Sequence, residues 1–160
     1  MAKTNPVKVR ASKNAEDTGS TGAEAPRAAS RARKTGSRRS PRLPASVASA
    51  VRVAQSKKAS DLVVLDLRKA GGFTDYFVIC TGNNTRQINA IADAIRDSLK
   101  QEHGERPTLA EGVEKSEWIL LDYFNFVVHV FSRECRAFYS LERLWGNAER
   151  IEFEEPSTSP

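Results

Sequence analysis

The sequence predicts a mixed α/β (α+β) domain: a β-sheet of four to five strands with helices packed on it, in the order α-β-β-α-β-β-α. Three observations carry that prediction. Two pairs of apolar, β-branched runs are each joined by a short turn. A long amphipathic stretch with cap signals at both ends separates the pairs. The runs near Leu62–Leu67 and Phe126–Phe131 are apolar at both parities, so both faces of the sheet should be covered.

Taken in order, the first helix is expected to begin at Pro44, since proline suits the first helical position. Val47, Ala50, Val51 and Ala54 recur on one side, and Lys57 and Lys58 complement the negative end of the helix dipole. Asp61 to Leu67 (DLVVLDL) reads as a buried strand and Asp75 to Gly82 (DYFVICTG) as a second. The connection with Gly71 and Gly72 favours an antiparallel hairpin. Asn84 and Gln87 stand three apart, as in a capping box. Ile88, Ile91, Ala92, Ile95 and Leu99 then form one apolar stripe, which Gly104 stops and Pro107 keeps from restarting. Such a helix, with the acid-rich loop 102–117 after it, is long enough for a crossover between parallel strands. WILLDYFNFVVHVF (Trp118 to Phe131) reads as two strands about a tight turn at Phe124–Asn125. Ser132 should cap a final helix in which Ala137, Phe138, Leu141, Leu144 and Trp145 share a face, ending at Gly146.

Charge and aromatics divide the chain. Of 25 basic and 20 acidic residues, residues 1–42 hold 11 and 3, a net +8, which leaves 14 and 17, a net −3, for residues 43–160. All 12 aromatics lie between Phe73 and Phe153. Residues 1–42 therefore read as a disordered basic tail, 43–146 as the one folded domain, and 147–160 as a flexible acidic C-terminal tail. The basic tail reads either as a solvated extension that brushes phosphates or as an organelle transit peptide. Glu16, Asp17 and Glu24 count against the second reading, so a cytoplasmic location is expected and an organellar one is the alternative. No stretch approaches the ~20 apolar residues a membrane span requires, and no secretory h-region follows Met1. Two cysteines make no disulfide framework.

Catalytic signatures are missing. The sequence has no phosphate-binding loop, no GxGxxG and no GxSxG. Cys80 and Cys135 lack partners at metal-ligand spacing; Cys80 reads as a small buried hydrophobe, and Cys135 opens the last helix. His129, inside VVHVF, is expected to be a partly buried imidazole bonded to a neighbour such as Asp122. Asp61 and Asp66 would have to cooperate to hold magnesium, yet five positions apart they point to opposite faces of a strand.

Several strings together are familiar. FTDYFVICTG, RQINAIADAIRDSLK, EG, WILLDY, VVHVF and FYSLERLW resemble, in order and separation, the Iojap-like ribosomal silencing factors, over about Leu43 to Trp145. The resemblance implies a nucleotidyltransferase-like fold without the catalytic carboxylates, no enzyme activity and no cofactor or metal. It implies attachment to the large ribosomal subunit through its L-fourteen-type protein, which obstructs joining of the small subunit and represses translation. Some members of that family pair as homodimers when free. The net −3 of the folded part suits a basic partner. The basic tail would add at most an incidental contact with ribosomal RNA.

Affinity is expected from a few aromatic or Arg anchors. The candidates are Asp75, Tyr76, Trp118, Asp122, Tyr123, Phe124, Arg136, Tyr139, Glu142 and Trp145. For the aromatics the competing role is core packing; for Arg136 and Glu142 it is a solvated helix face. Many relatives have Gly-Asp where this chain has Phe124–Asn125, so Asn125 is expected to take the left-handed position and to leave Phe124 exposed. The alternatives are a divergent magnesium-dependent nucleotidyltransferase using Asp66 or Asp75, and an RNA-binding module acting through residues 27–42.

Overall fold

The computed structural model describes residues 42–155. The basic tail up to residue 41 and the last five residues lie outside the described residues. The elements are α1 (Ala45–Ser56), β1 (Ser60–Asp66), β2 (Tyr76–Thr81), α2 (Thr85–His103), β3 (Leu109–Glu111), β4 (Trp118–Asp122), β5 (Phe126–Phe131), α3 (Arg133–Tyr139), α4 (Leu141–Leu144) and β6 (Glu149–Glu152). They form one six-stranded sheet in the order β3-β4-β5-β2-β1-β6. Every neighbouring pair is antiparallel except β2 and β5, which run parallel with Val78 opposite Val128. The predicted mixed sheet is therefore present, with two strands more than the lower expected count.

Local chemistry explains most boundaries. Pro44 is the N-cap and not the first helical residue: its ψ of 147° is extended, while its carbonyl already accepts the Ala48 N–H at 2.9 Å. Asn84 caps α2 as expected, its side chain accepting the Gln87 N–H at 2.8 Å. Gln87 reaches one residue further back than in a capping box, accepting from the Asn83 N–H at 2.7 Å. Its amide also donates to the Lys57 and Lys58 carbonyls, tying the start of α2 to the end of α1. Gly104 closes α2 at φ 66°, with the Glu105 N–H returning to the Leu99 carbonyl. Between the helices, Ser49, Arg52 and Ser98 converge on Glu102, and the Arg52 guanidinium above all holds that carboxyl down at about 2.

Two segments expected to be irregular are strands. Leu109–Glu111 pairs with β4 from within the acid-rich loop, and Glu149–Glu152 pairs with β1 from within the supposed flexible tail. Both are short edges with exposed charge, a composition that protects an edge from further pairing and hides it from pattern reading. The last helix is also not continuous. Ser140 takes the left-handed conformation at φ 45°, which breaks it into α3 and α4. Phe138 and Leu144 consequently stand in solvent, while Leu141 and Trp145 pack on the sheet, so the five residues expected on one face do not share it.

The sheet separates two cores. On one face α1 and α2 bury Val47, Ala50, Ala54, Ile88, Ile91, Ile95 and Leu99 against Val64, Val78, Cys80, Ile119, Leu121, Val128 and Val130. Cys80 belongs to this core, where burial pushes its thiol up to about 12 and leaves it an inert hydrophobe. On the other face Val63, Leu65, Leu67, Phe77, Ile79, Val127 and Phe131 lie under Leu141, Trp145 and Ala148.

Candidate functional site

The second face is covered only in part, because α3 and α4 are short and cross its middle. Alternation along β4 decides what remains open. Ile119 and Leu121 are buried under α2, whereas Trp118, Leu120 and Asp122 turn to the other face and stay partly exposed. Register places Leu109 opposite Asp122 and Glu111 opposite Leu120, so the edge strand extends the same strip. Leu109 is 46% exposed. Neither β3 nor β4 carries a basic residue, and Glu111 and Asp122 supply its charge. The strip is thus apolar along its centre and anionic at its rim.

Trp118 is held on three sides. Its ring stacks on Phe131 with centroids 4.9 Å apart, and Tyr139, half in solvent at the end of α3, lies 4.5 Å from it. Its indole N–H donates to Nδ1 of His129 at 3.1 Å. Asp122, expected as the partner of His129, instead accepts the Phe124 N–H at 2.8 Å, because its side chain is nearer the turn than the middle of β5. His129 is fully enclosed, with Phe77 edge-on at 4.7 Å, and burial pushes its imidazole down to about 3. It is neutral, and Nε2 has no hydrogen-bond partner among the described residues.

A loop delivers Trp118 to this position. Gly112 sits at φ 82°, and a Cβ there would come within 1.8 Å of the Trp118 carbonyl oxygen, so only glycine fits. Ser116 is buried beside it, donating to the Val113 carbonyl and accepting from Asn89 of α2 at 2.7 Å.

At one end of the sheet the β4–β5 turn projects. Phe124, not Asn125, takes the left-handed position, at φ 72°. The backbone bonds around it account for this: the Asn125 N–H returns to the Tyr123 carbonyl, Thr74 Oγ1 donates to the Phe124 carbonyl at 3.0 Å, and the Asp75 N–H donates to the Asn125 carbonyl. Three anchors outweigh the steric cost of a positive φ at a bulky residue, on the order of 1 kcal/mol. The phenyl ring is 79% exposed, as expected. Phe73, which sequence reasoning passed over, is 76% exposed near the same end, on the loop that leads to Thr74.

The remaining candidates separate. Arg136 and Glu142 pair with each other at 2.6 Å, neither solvated nor free for a partner. Arg136 also donates to the Asp61 carbonyl and to Thr81 Oγ1, so it clamps the α3–α4 break onto the ends of β1 and β2. Trp145 packs edge-on to Phe77 as part of the cover. Tyr76 and Tyr123 belong to the opposite core, where Tyr123 stacks on Phe126 and burial pushes its hydroxyl up to about 12. In this conformation neither ring offers a surface. Asp75 is exposed at the turn end, beside a cavity of about 200 Å³ shared with the first turn of α1. Asp66 accepts from Arg68 through both carboxylate oxygens, and that guanidinium keeps it below the usual carboxylate range. Among the described residues no three His, Cys, Asp or Glu side chains are grouped to hold a metal ion. The structure therefore brings Trp118, Asp122 and Tyr139 to one face, adds Leu109 and Leu120, places Phe124 and Asp75 at the turn end, and leaves Tyr76, Tyr123, Arg136, Glu142 and Trp145 as support.

The chain is similar in sequence and fold to known proteins. A family model described as "Ribosomal silencing factor during starvation" matches residues 40–160. The chain is 40% identical over 105 residues to ribosomal silencing factor RsfS of Halalkalibacterium halodurans, covering 66% of this chain and 89% of that one. It is 38% identical over 109 residues to the chloroplastic protein Iojap of Arabidopsis thaliana, covering 66% of this chain and 44% of that one. A crystal structure from Chromobacterium violaceum superposes with a TM-score of 0.60 at 30% identity, covering 70% of this chain and 88% of the other. With the family match spanning all of the described residues and the same fold found in a solved structure, the chain belongs to the ribosomal silencing factor family.

Proposed function

We propose that the chain binds the large ribosomal subunit through its L-fourteen-type protein and, by occupying that surface, blocks joining of the small subunit and represses translation. The observation that carries this reading is the strip Trp118–Leu120–Asp122, apolar at its centre and free of basic residues, on an otherwise covered sheet. A few desolvated aromatic anchors inside a polar rim are what a protein interface needs, and the anionic rim would orient a basic partner. Trp118, Leu120, Asp122, Phe124 and Tyr139 are the proposed contacts, with Leu109 and Phe73 at the margins. Asp75 would touch the partner only at the turn end. The mechanism is steric exclusion and needs no turnover, metal or nucleotide.

Family membership supports ribosome association, and the bacterial relatives support a cytoplasmic site of action, with the chloroplastic relatives as the precedent for an organellar one. The basic tail is assigned only an incidental contact with ribosomal RNA, and a homodimer is the proposed state of the free protein. Sucrose-gradient sedimentation with separated subunits tests the proposal. The full chain should travel with large subunits and raise the fraction of free subunits as it is added; subunits that join equally well in its presence would overturn it.

A further inference from the structure

The His129–Trp118 hydrogen bond has a functional corollary. An indole carries one polar group, its N–H, which can only donate. Here that group turns inward to Nδ1 of His129, a residue only 4% exposed. Nδ1 must therefore present a lone pair, which places the ring proton on Nε2, and Nε2 has no partner among the described residues. Leaving a buried donor unpaired is destabilising. An apolar side chain at position 129 would avoid that cost and still fill the space beside Phe77 and Phe131. The bond to Trp118 is what the imidazole alone provides there.

We propose that His129 is a positioning residue for docking: by accepting the Trp118 N–H, it fixes the indole so that only its carbon edge faces the partner. The proposal rests on the docking reading above and deepens it by stating the chemistry of the matching patch. Trp118, stacked against Phe131 and beside Tyr139, offers the partner no hydrogen-bond donor. Its counterpart is then an apolar side chain or the aliphatic stem of a lysine or arginine whose charged head reaches Asp122 or Glu111. Because the neutral imidazole stays an acceptor across the physiological range, the orientation does not vary with pH there.

The test compares the full chain with His129→Leu, which removes the acceptor, and His129→Gln, whose carbonyl oxygen can replace it, each also in a Trp118→Phe background. Binding to purified large subunits is measured beside the proton NMR shift and exchange rate of the indole N–H, with Trp118→Phe assigning the resonance. His129→Leu should weaken binding about tenfold and expose the indole N–H to exchange, and His129→Gln should recover most of both. In the Trp118→Phe background His129→Leu should change affinity by less than about twofold, since the coupled partner is gone. A folded His129→Leu variant that binds like the parent, or one that loses the same tenfold without the indole N–H, would overturn the inference. Failure of the parent itself to bind large subunits would instead defeat the docking reading, and this inference with it.

Discussion

The two faces of the sheet are closed by different means. Over one face lie α1 and α2, of 12 and 19 residues, and every strand residue beneath them from Val64 to Val130 is buried. Over the other lie α3 and α4, of 7 and 4 residues, bent at Ser140 and leaving β3 and β4 uncovered. Length of cover is the physical difference. A nineteen-residue helix runs about 28 Å, enough to span a sheet, whereas four residues make about one turn. The sealed face accounts for stability, and the open margin is where a sheet can still gain by burying surface.

Substitutions can break or sharpen that contrast. The largest effect should come from the sealed face: Ile95→Ala creates a cavity beneath α2 and should cost about 3–4 kcal/mol in urea unfolding, while the molecules that remain folded bind as before. Next, Arg136→Met should cost about 3 kcal/mol, because it strands Glu142 and two sheet acceptors together. It should also loosen Tyr139 from Trp118, so binding and stability fall together. Trp118→Ala should separate them the other way, weakening large-subunit binding by about 2 kcal/mol, a loss of roughly thirtyfold in sedimentation assays. If Ile95→Ala impaired binding by the folded molecules more than Trp118→Ala, the division of labour between the faces would be wrong.

Per unit of pH, the smallest effect is the slope that His129 contributes. His129 titrates near 6.5 when unfolded but is held down to about 3 in the fold, so the unfolded chain binds the extra proton between those values. Its contribution is intact above pH 6.5 and declines as pH falls toward 3, by at most about 1.4 kcal/mol per pH unit. Urea midpoints of His129→Gln should therefore fall less steeply over that window than those of the parent.

Much of this was readable in the residues, for identifiable reasons. The stripe from Ile88 to Leu99 and its caps at Asn84 and Gly104 follow from local rules that tertiary contacts did not override. The paired runs around Val64 and Val128 are buried on both faces, and their composition says so. Leu109–Glu111 and Glu149–Glu152 escaped because three or four mostly exposed residues are too few to carry a periodicity. The break at Ser140 escaped because serine has no strong left-handed preference; the Arg136–Glu142 clamp across it is what favours it. Within the site, parity separates Trp118 and Asp122 from Ile119 and Leu121, and the same parity marks Leu120, which the choice of aromatic and charged candidates passed over. Tyr76 and Tyr123 lie in the core under α1 and α2, a placement hidden in the sequence because a hydroxyl signals polarity without showing which side of a sheet it lies on.

The parallel seam between β2 and β5 also bears on how the domain assembles. Val78 and Val128, paired across it, stand fifty positions apart, whereas the hairpins close at Asp66–Tyr76 and Asp122–Val127, ten and five positions apart. Hairpins and α2 can form early, but the central pairing must wait for the whole crossover, which makes it the slow event in folding. During synthesis from the N-terminus the first hairpin stays half-sheltered until Phe131 has emerged, and the β6 edge joins β1 only after nearly the entire domain has left the exit tunnel.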